Sequence, residues 1–200
     1  VALGKGPAIH PSGLRVSLAT SPETTGLDEA SWNALASQSE TNSVFQTYQW
    51  SKSWWQSFHD QHESMLLTVN DGPRKIGLAP LVLGRHGSGD GVVHFLSDTR
   101  ADYCDVLAAG DKARVLGAVV DALGDDRRWH LLDFSNIPMA SETVSLLRTI
   151  CQRAGYHVIA EEQYRCPALL IAGNEAGALA IANKESLRRR ENYFRKAGNL

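Results

Sequence analysis

Met65-Leu66-Leu67-Thr68-Val69, then Asn70-Asp71-Gly72-Pro73, then Lys75-Ile76-Gly77-Leu78-Ala79-Pro80-Leu81-Val82-Leu83: two apolar runs face each other across a four-residue turn signal. Asn, Asp and Gly tolerate the left-handed backbone of a tight reversal, and Pro presets a bend, so the stretch predicts a β-hairpin. Pro80 has no N–H to give to a ladder and is expected at a bulge or an edge. A third apolar run, Val92-Val93-His94-Phe95-Leu96, follows the glycine-rich GRHGSGDG of residues 84–91. Three strands joined by short reversals make an antiparallel meander.

Working outward, residues 1–13 are rich in Gly and Pro and are expected to be a flexible lead-in. Leu14-Arg15-Val16-Ser17-Leu18 alternates apolar and polar, as a half-buried strand does. A helix follows, capped by Asp28 or Ser31, with Trp32, Leu35 and Ala36 at helical spacing. A second helix starts near Thr47 and sets Trp50, Trp54 and Phe58 on one face. Beyond the meander the period changes. Ala113–Leu123 reads as a helix and Trp129–Phe134 as a strand. Ser141 to about Ala154 reads as a helix stopped by Gly155, and Tyr156–Ala160 and Ala168–Ile171 read as strands. The order β-α-α-β-β-β-α-β-α-β-β predicts an α/β (α+β) fold: a mixed sheet with an antiparallel N-terminal meander and flanking helices.

The 200 residues are 43% hydrophobic and 21% charged, the balance of an ordinary globular domain, which excludes a collagenous, disulfide-scaffold or wholly disordered chain. A net charge of −2 argues against a dedicated nucleic-acid binder. No apolar run reaches a membrane-spanning length. Cys104, Cys151 and Cys166 form no CxxC pair, and the histidines are scattered. A reduced, cytoplasmic setting without a metal is therefore expected. The start lacks Met and the end, Gly198-Asn199-Leu200, falls where a helix has run out, so both ends are expected to be cuts in a longer chain. Residues 14–172 are expected to form one domain and 173–182 a linker. Residues 183–200 then begin a second unit with a basic helix: Lys184 to Lys196 carries six Lys or Arg against two Glu, leaving −6 on the rest of the chain.

Few constellations carry chemistry. The glycines of 84–91 lie between strands, whereas a phosphate cradle opens onto a helix N-terminus, so a hairpin loop is the better reading. In the second helix, Tyr48 and Trp55 lie off the Trp50–Trp54–Phe58 stripe and are the better ligand candidates, the stripe itself serving as core. Ser97-Asp98-Thr99-Arg100-Ala101-Asp102-Tyr103-Cys104-Asp105 places several carboxylates around Tyr103 at a strand end. Such a loop either lines a cleft or does turn and capping work. No G-x-S-x-G elbow occurs, and no catalytic residue can be assigned.

Four motifs taken together resemble a known family: Phe45-Gln46-Thr47-Tyr48-Gln49-Trp50 with Trp54-Trp55; Ile76-Gly77-Leu78-Ala79-Pro80-Leu81; the Asp-Tyr loop from Ser97 to Asp105; and Ser186-Leu187-Arg188-Arg189-Arg190 closing with Lys196-Ala197-Gly198. With the element order, they resemble the GNAT-fold acetyltransferases linked to bacterial cellulose and exopolysaccharide synthesis, distant kin of the FemAB-type aminoacyltransferases. The resemblance implies two GNAT-like domains in tandem, with residues 14–172 as the first and the basic helix beginning the second. It implies acyl transfer from acetyl-CoA or another acyl-CoA to an amine or hydroxyl, on a small-molecule or saccharide acceptor. It also implies that Tyr48, Trp55, Asp98, Asp102 and Tyr103 shape the acceptor side. The family's pyrophosphate loop, R/Q-x-x-G-x-G/A, is missing from Val106 to Arg114, where only Ala109-Gly110-Asp111 stands. The cofactor site is therefore expected beyond Leu200. The competing reading is a non-catalytic scaffold or carbohydrate-binding module on the same fold.

Overall fold

The fold is described from a computed structural model, which covers residues 8–9, 13–84, 91–166 and 171–198. The chain divides into two compact units, Val1–Glu161 and Glu162–Leu200.

The first unit holds strands β1 (Ala8–Ile9) and β2 (Arg15–Ala19), helices α1 (Glu29–Gln38) and α2 (Tyr48–Phe58), and strands β3 (His62–Asp71), β4 (Arg74–Gly84), β5 (Val92–Phe95) and β6 (Leu107–Ala108). Helix α3 (Lys112–Gly124), strand β7 (Leu131–Asp133) and helix α4 (Thr143–Arg153) complete it. Its strands form one mixed sheet in the order β1-β2-β3-β4-β5-β7, with β6 a second partner of β4. All pairs are antiparallel except β5 with β7, which run parallel and are joined through α3. The mixed α/β architecture expected from the sequence is present.

The hairpin turns where expected. Asp71 pairs with Arg74, and Gly72 takes the positive φ of 58° that the two-residue reversal demands. The sheet is covered on both faces, which is why β3 and β4 read as continuous apolar runs. Met65, Leu67, Val69, Ala79, Leu81 and Leu83 pack with α3 and α4, through Val115, Val119, Leu147 and Cys151. Their neighbours Leu66, Leu78 and Val82 pack on the opposite face with Trp32 and Leu35 of α1 and Trp54 of α2. Helix α3 approaches β4 closely at Gly77, where a Cβ would stand 2.5 Å from Val115 Cγ1.

Three expectations need correction. Pro80 is neither at an edge nor at a bulge: it lies inside β4, opposite Leu66. The far side of β4 is paired by β6 at Gly77–Leu78 and by β5 at Leu81–Leu83. Pro80 sits at that changeover, where its carbonyl still accepts from Leu96 N at 2.7 Å and its missing N–H leaves no rung open. The register shift in the hairpin falls instead at Val69/Asn70. The second correction is at Tyr156–Ala160, which forms no strand. Gly155 ends α4 with φ 85° as expected, and the alternation at Tyr156 and Val158 is satisfied by packing on the α3–α4 core without a ladder. Third, the core stripe of α2 is centred on buried Ser51 and Trp54, with Trp50 and Phe58 half-buried. The expected strand at 168–171 and the glycine loop fall on residues 167–170 and 85–90, which lie outside the described residues, save for its last residue, Ile171, and the flanking Gly84 and Gly91.

In the second unit, helix α5 (Glu175–Ala182) occupies the stretch expected as a linker, and the basic helix is α6 (Glu185–Ala197). Two ion pairs at helical spacing, Glu185–Arg189 and Glu191–Arg195, run along α6.

Candidate functional site

The loop that leaves β5 gathers the chemistry. Ser97, fully buried, adopts φ 72°, a conformation uncommon for a residue with a Cβ, and turns the chain sharply. Its carbonyl accepts from Arg100 N and Ala101 N, both at 2.8 Å, and its hydroxyl accepts from the Trp50 indole N–H at 2.9 Å. The Asn136 amide, itself at φ 63°, donates to the carbonyls of Asp98 and Ala101 and clamps the loop to the segment after β7. The loop is thus a fixed shape held from α2 and from the β7 side.

That shape places Asp98 Oδ2 3.2 Å from His94 Nδ1 on β5. The same nitrogen lies 3.2 Å from the Phe95 carbonyl. Both partners are acceptors, so Nδ1 carries the proton and Nε2 holds the lone pair of the neutral ring. The His62 ring stands edge-on to His94 at 5.3 Å between centroids and lies 5.1 Å from the Trp54 ring. Burial opposes a charge on His94, but the Asp98 hydrogen bond and charge, the Phe95 carbonyl and Asp133 outweigh it and raise its pKa. His62 is shifted the other way, first by burial and then by His94. Two buried polar atoms in this cluster, His62 Nδ1 and Asp98 Oδ1, have no hydrogen-bond partner.

The five expected acceptor-side residues separate. Asp98 and Tyr103 are drawn toward one aromatic strip: Tyr103 neighbours Phe45 at 6.5 Å, Phe45 meets Trp50 edge-on at 4.8 Å, and Trp50 holds the Asp98 loop. Asp102 points into solvent. Tyr48 and Trp55, seven positions apart on α2, share another side of that helix. Tyr48 meets Trp32 edge-on at 5.6 Å and lies under Lys52, while Trp55 lies 5.8 Å from His59.

Asp105 has a different role. It is fully buried. Its Oδ2 accepts from Thr41 Oγ1 at 2.9 Å, Lys112 Nζ at 3.0 Å and Ser141 Oγ at 2.6 Å. Its Oδ1 accepts from Thr143 Oγ1 at 2.5 Å and Val106 N at 2.7 Å. One carboxylate thereby ties the α1–α2 connection to the N-termini of α3 and α4. Lys112 also reaches Glu40 at 3.1 Å, and Glu40 accepts from the Glu142 N–H at 3.0 Å. That backbone bond, aided by Lys112, lowers the Glu40 pKa.

Over this network opens a groove of about 310 Å³, lined by Glu40, Asp111, Lys112 and Glu142 among others. Asp111 caps α3, accepting from Arg114 N at 3.1 Å. The groove presents three carboxylates and an ammonium already engaged by two of the chain's own acids, so it is no cradle for a phosphate. Cys104 is buried, and desolvation pushes its thiol up to about 12, which removes it as a nucleophile. Among the described residues no group of three or more His, Cys, Asp or Glu is arranged to hold a metal, and no helix is long and apolar enough to cross a membrane.

The sequence reading missed both histidines and Lys112. A histidine within an apolar strand, as in VVHFL, was the one signal available for His94. Comparison with family models, with curated proteins and with solved structures gave no match.

Proposed function

We propose that this chain is the acceptor-side part of an acyl-CoA-dependent N- or O-acyltransferase of the GNAT type. The observation that carries the reading is the sheet connectivity: antiparallel β2, β3, β4 and β5, then a crossover through α3 to β7 lying parallel to β5. Apart from the short β1 and β6, it follows the first part of the expected order, β-α-α-β-β-β-α-β, which together with the four motifs resembles the GNAT fold. Acyl transfer needs a base for the acceptor's proton and a donor for the thioester oxygen. The Asp98 loop, with His94, Trp50 and Tyr103, supplies polar and aromatic groups suited to a small-molecule or saccharide acceptor. The acidic cap of α3 supports placing the acyl-CoA site in a second GNAT domain beyond Leu200.

The same acidic cap favours one competitor, a non-catalytic scaffold or carbohydrate-binding module. Calorimetric titration with acetyl-CoA separates the two. This chain alone is expected not to bind. A polypeptide extended beyond Leu200 is expected to bind, and to release CoA thiol when offered a panel of amine and sugar acceptors. An extended polypeptide that neither binds nor releases thiol, or a gene that ends at Leu200, overturns the enzyme reading. Tight binding by this chain alone overturns the placement of the cofactor.

A further inference from the structure

We propose that His62, His94 and Asp98 form a proton-operated latch, which stays closed with one proton shared by the imidazole pair and opens when a second arrives. The inference is independent of the acyl-transfer reading. Its basis is the arrangement of three side chains from three parts of the chain: His62 where β3 begins, His94 on β5 and Asp98 in the following loop.

One carboxylate serves two imidazoles. His94 Nδ1–H already bonds Asp98, so a proton on His94 Nε2 completes a close ion pair. Of the two rings, only His62 is then left to take a second proton. That proton would set two imidazolium rings 5.3 Å apart with one carboxylate, Asp98, hydrogen-bonded to the pair. It would also oblige His62 Nδ1, a buried atom with no partner, to carry an unpaired N–H. Release of the His62 ring from Trp54 of α2, on which it packs, relieves both.

The surrounding charges fix the order of events. Asp133 of β7, the register partner of His94, adds to the pull of Asp98 on His94. Asp60 and Asp98 act on His62 but are outweighed by burial and by His94. The Cys104 thiol near Asp98 stays neutral, and Arg100 is held over Phe58. His94 therefore takes its proton above the ordinary histidine value of about 6.5 and His62 below it. The latch is closed near that value and opens on its acid side.

Two measurements on the full chain test this. Tryptophan emission and near-ultraviolet circular dichroism are followed from pH 8 to 5, with far-ultraviolet dichroism as the control for folding. A reversible transition with its midpoint below 6.5 and intact helix content is expected. His62→Gln should abolish it, and His94→Gln, which removes the competing charge, should move it up by about one pH unit. NMR titration of the histidine Cε1 protons in the unmodified chain covers the case of a variant that does not fold. Two linked resonances are expected, one titrating above 6.5 and one below. A transition that survives His62→Gln at the same midpoint, no transition in the unmodified chain, or two resonances titrating together at 6.5 overturns the proposal.

Discussion

Replacing Asp105 with Ala tests the central joint of the first unit. The carboxylate accepts five hydrogen bonds, four from side chains on three separate segments and one from Val106 N. Truncation leaves the hydroxyls of Ser141 and Thr143 without their acceptor in a buried site and takes from Lys112 one of its two carboxylates. Breaking a buried ion pair from one side costs about 3–5 kcal/mol. Lys112 keeps Glu40, which places the expected loss at the lower end, about 3 kcal/mol. With a urea slope of about 2 kcal/mol/M, the midpoint should fall by about 1.5 M. All five tryptophans lie between residues 32 and 129, so emission during urea unfolding reports on this unit alone. Asp105→Asn keeps the shape without the charge and should lose most of the same stability. A double-mutant cycle with Lys112→Ala should return a coupling of about 1–3 kcal/mol. A midpoint shift under about 0.5 M for Asp105→Ala, or a coupling near zero, would refute the claim that this carboxylate holds the helix N-termini together.

Gly77→Ala places a methyl 2.5 Å from Val115 Cγ1 and should destabilise the unit by about 1–3 kcal/mol in the same urea assay, with Val115→Ala in the same chain recovering part of the loss. Asp111→Ala removes the cap of α3 and should cost about 1 kcal/mol, while leaving the groove less acidic.

From β2 to α4 most of the order of elements was legible, because each rests on local chemistry. The Asn70–Pro73 turn, the caps at Asp28 and Thr47 and the stop at Gly155 stand where their residue types place them. What was not legible depends on contacts distant in sequence. Asp98, Asp102 and Asp105 are one residue type within eight positions of an irregular loop, yet one pairs with a histidine, one faces water and one is fully buried. No period governs such a loop, so spacing could not sort them; the positive φ of Ser97 and the clamp of Asn136 do. His62 and His94 meet because β3 and β5 both flank β4, a fact of sheet order and not of sequence pattern. Pro80 misled for the same reason: whether a strand lacks a partner at one rung depends on two other strands.

Sheet order and charge together bear on where an anionic cofactor can sit. The free N–H groups at a helix N-terminus attract phosphate only while no internal acceptor takes them. Here α1 is capped by the Asp28 carboxylate, α2 by the Thr47 hydroxyl and α3 by the Asp111 carboxylate. Helix α4 begins with the Glu142 N–H held by Glu40, an acid reaching across from the end of α1. Among the described residues of the first unit, each of these four helices therefore begins with an N–H on an internal acceptor, three of the acceptors being carboxylates whose charge repels a pyrophosphate at short range. The local charge left for a ligand is negative at the groove beside α3 and mixed, with aromatic walls, at the Asp98 loop. A neutral polyol or a protonated amine meets no such penalty at either place, which is the electrostatic support for our proposal that this unit serves the acceptor and not the acyl-CoA.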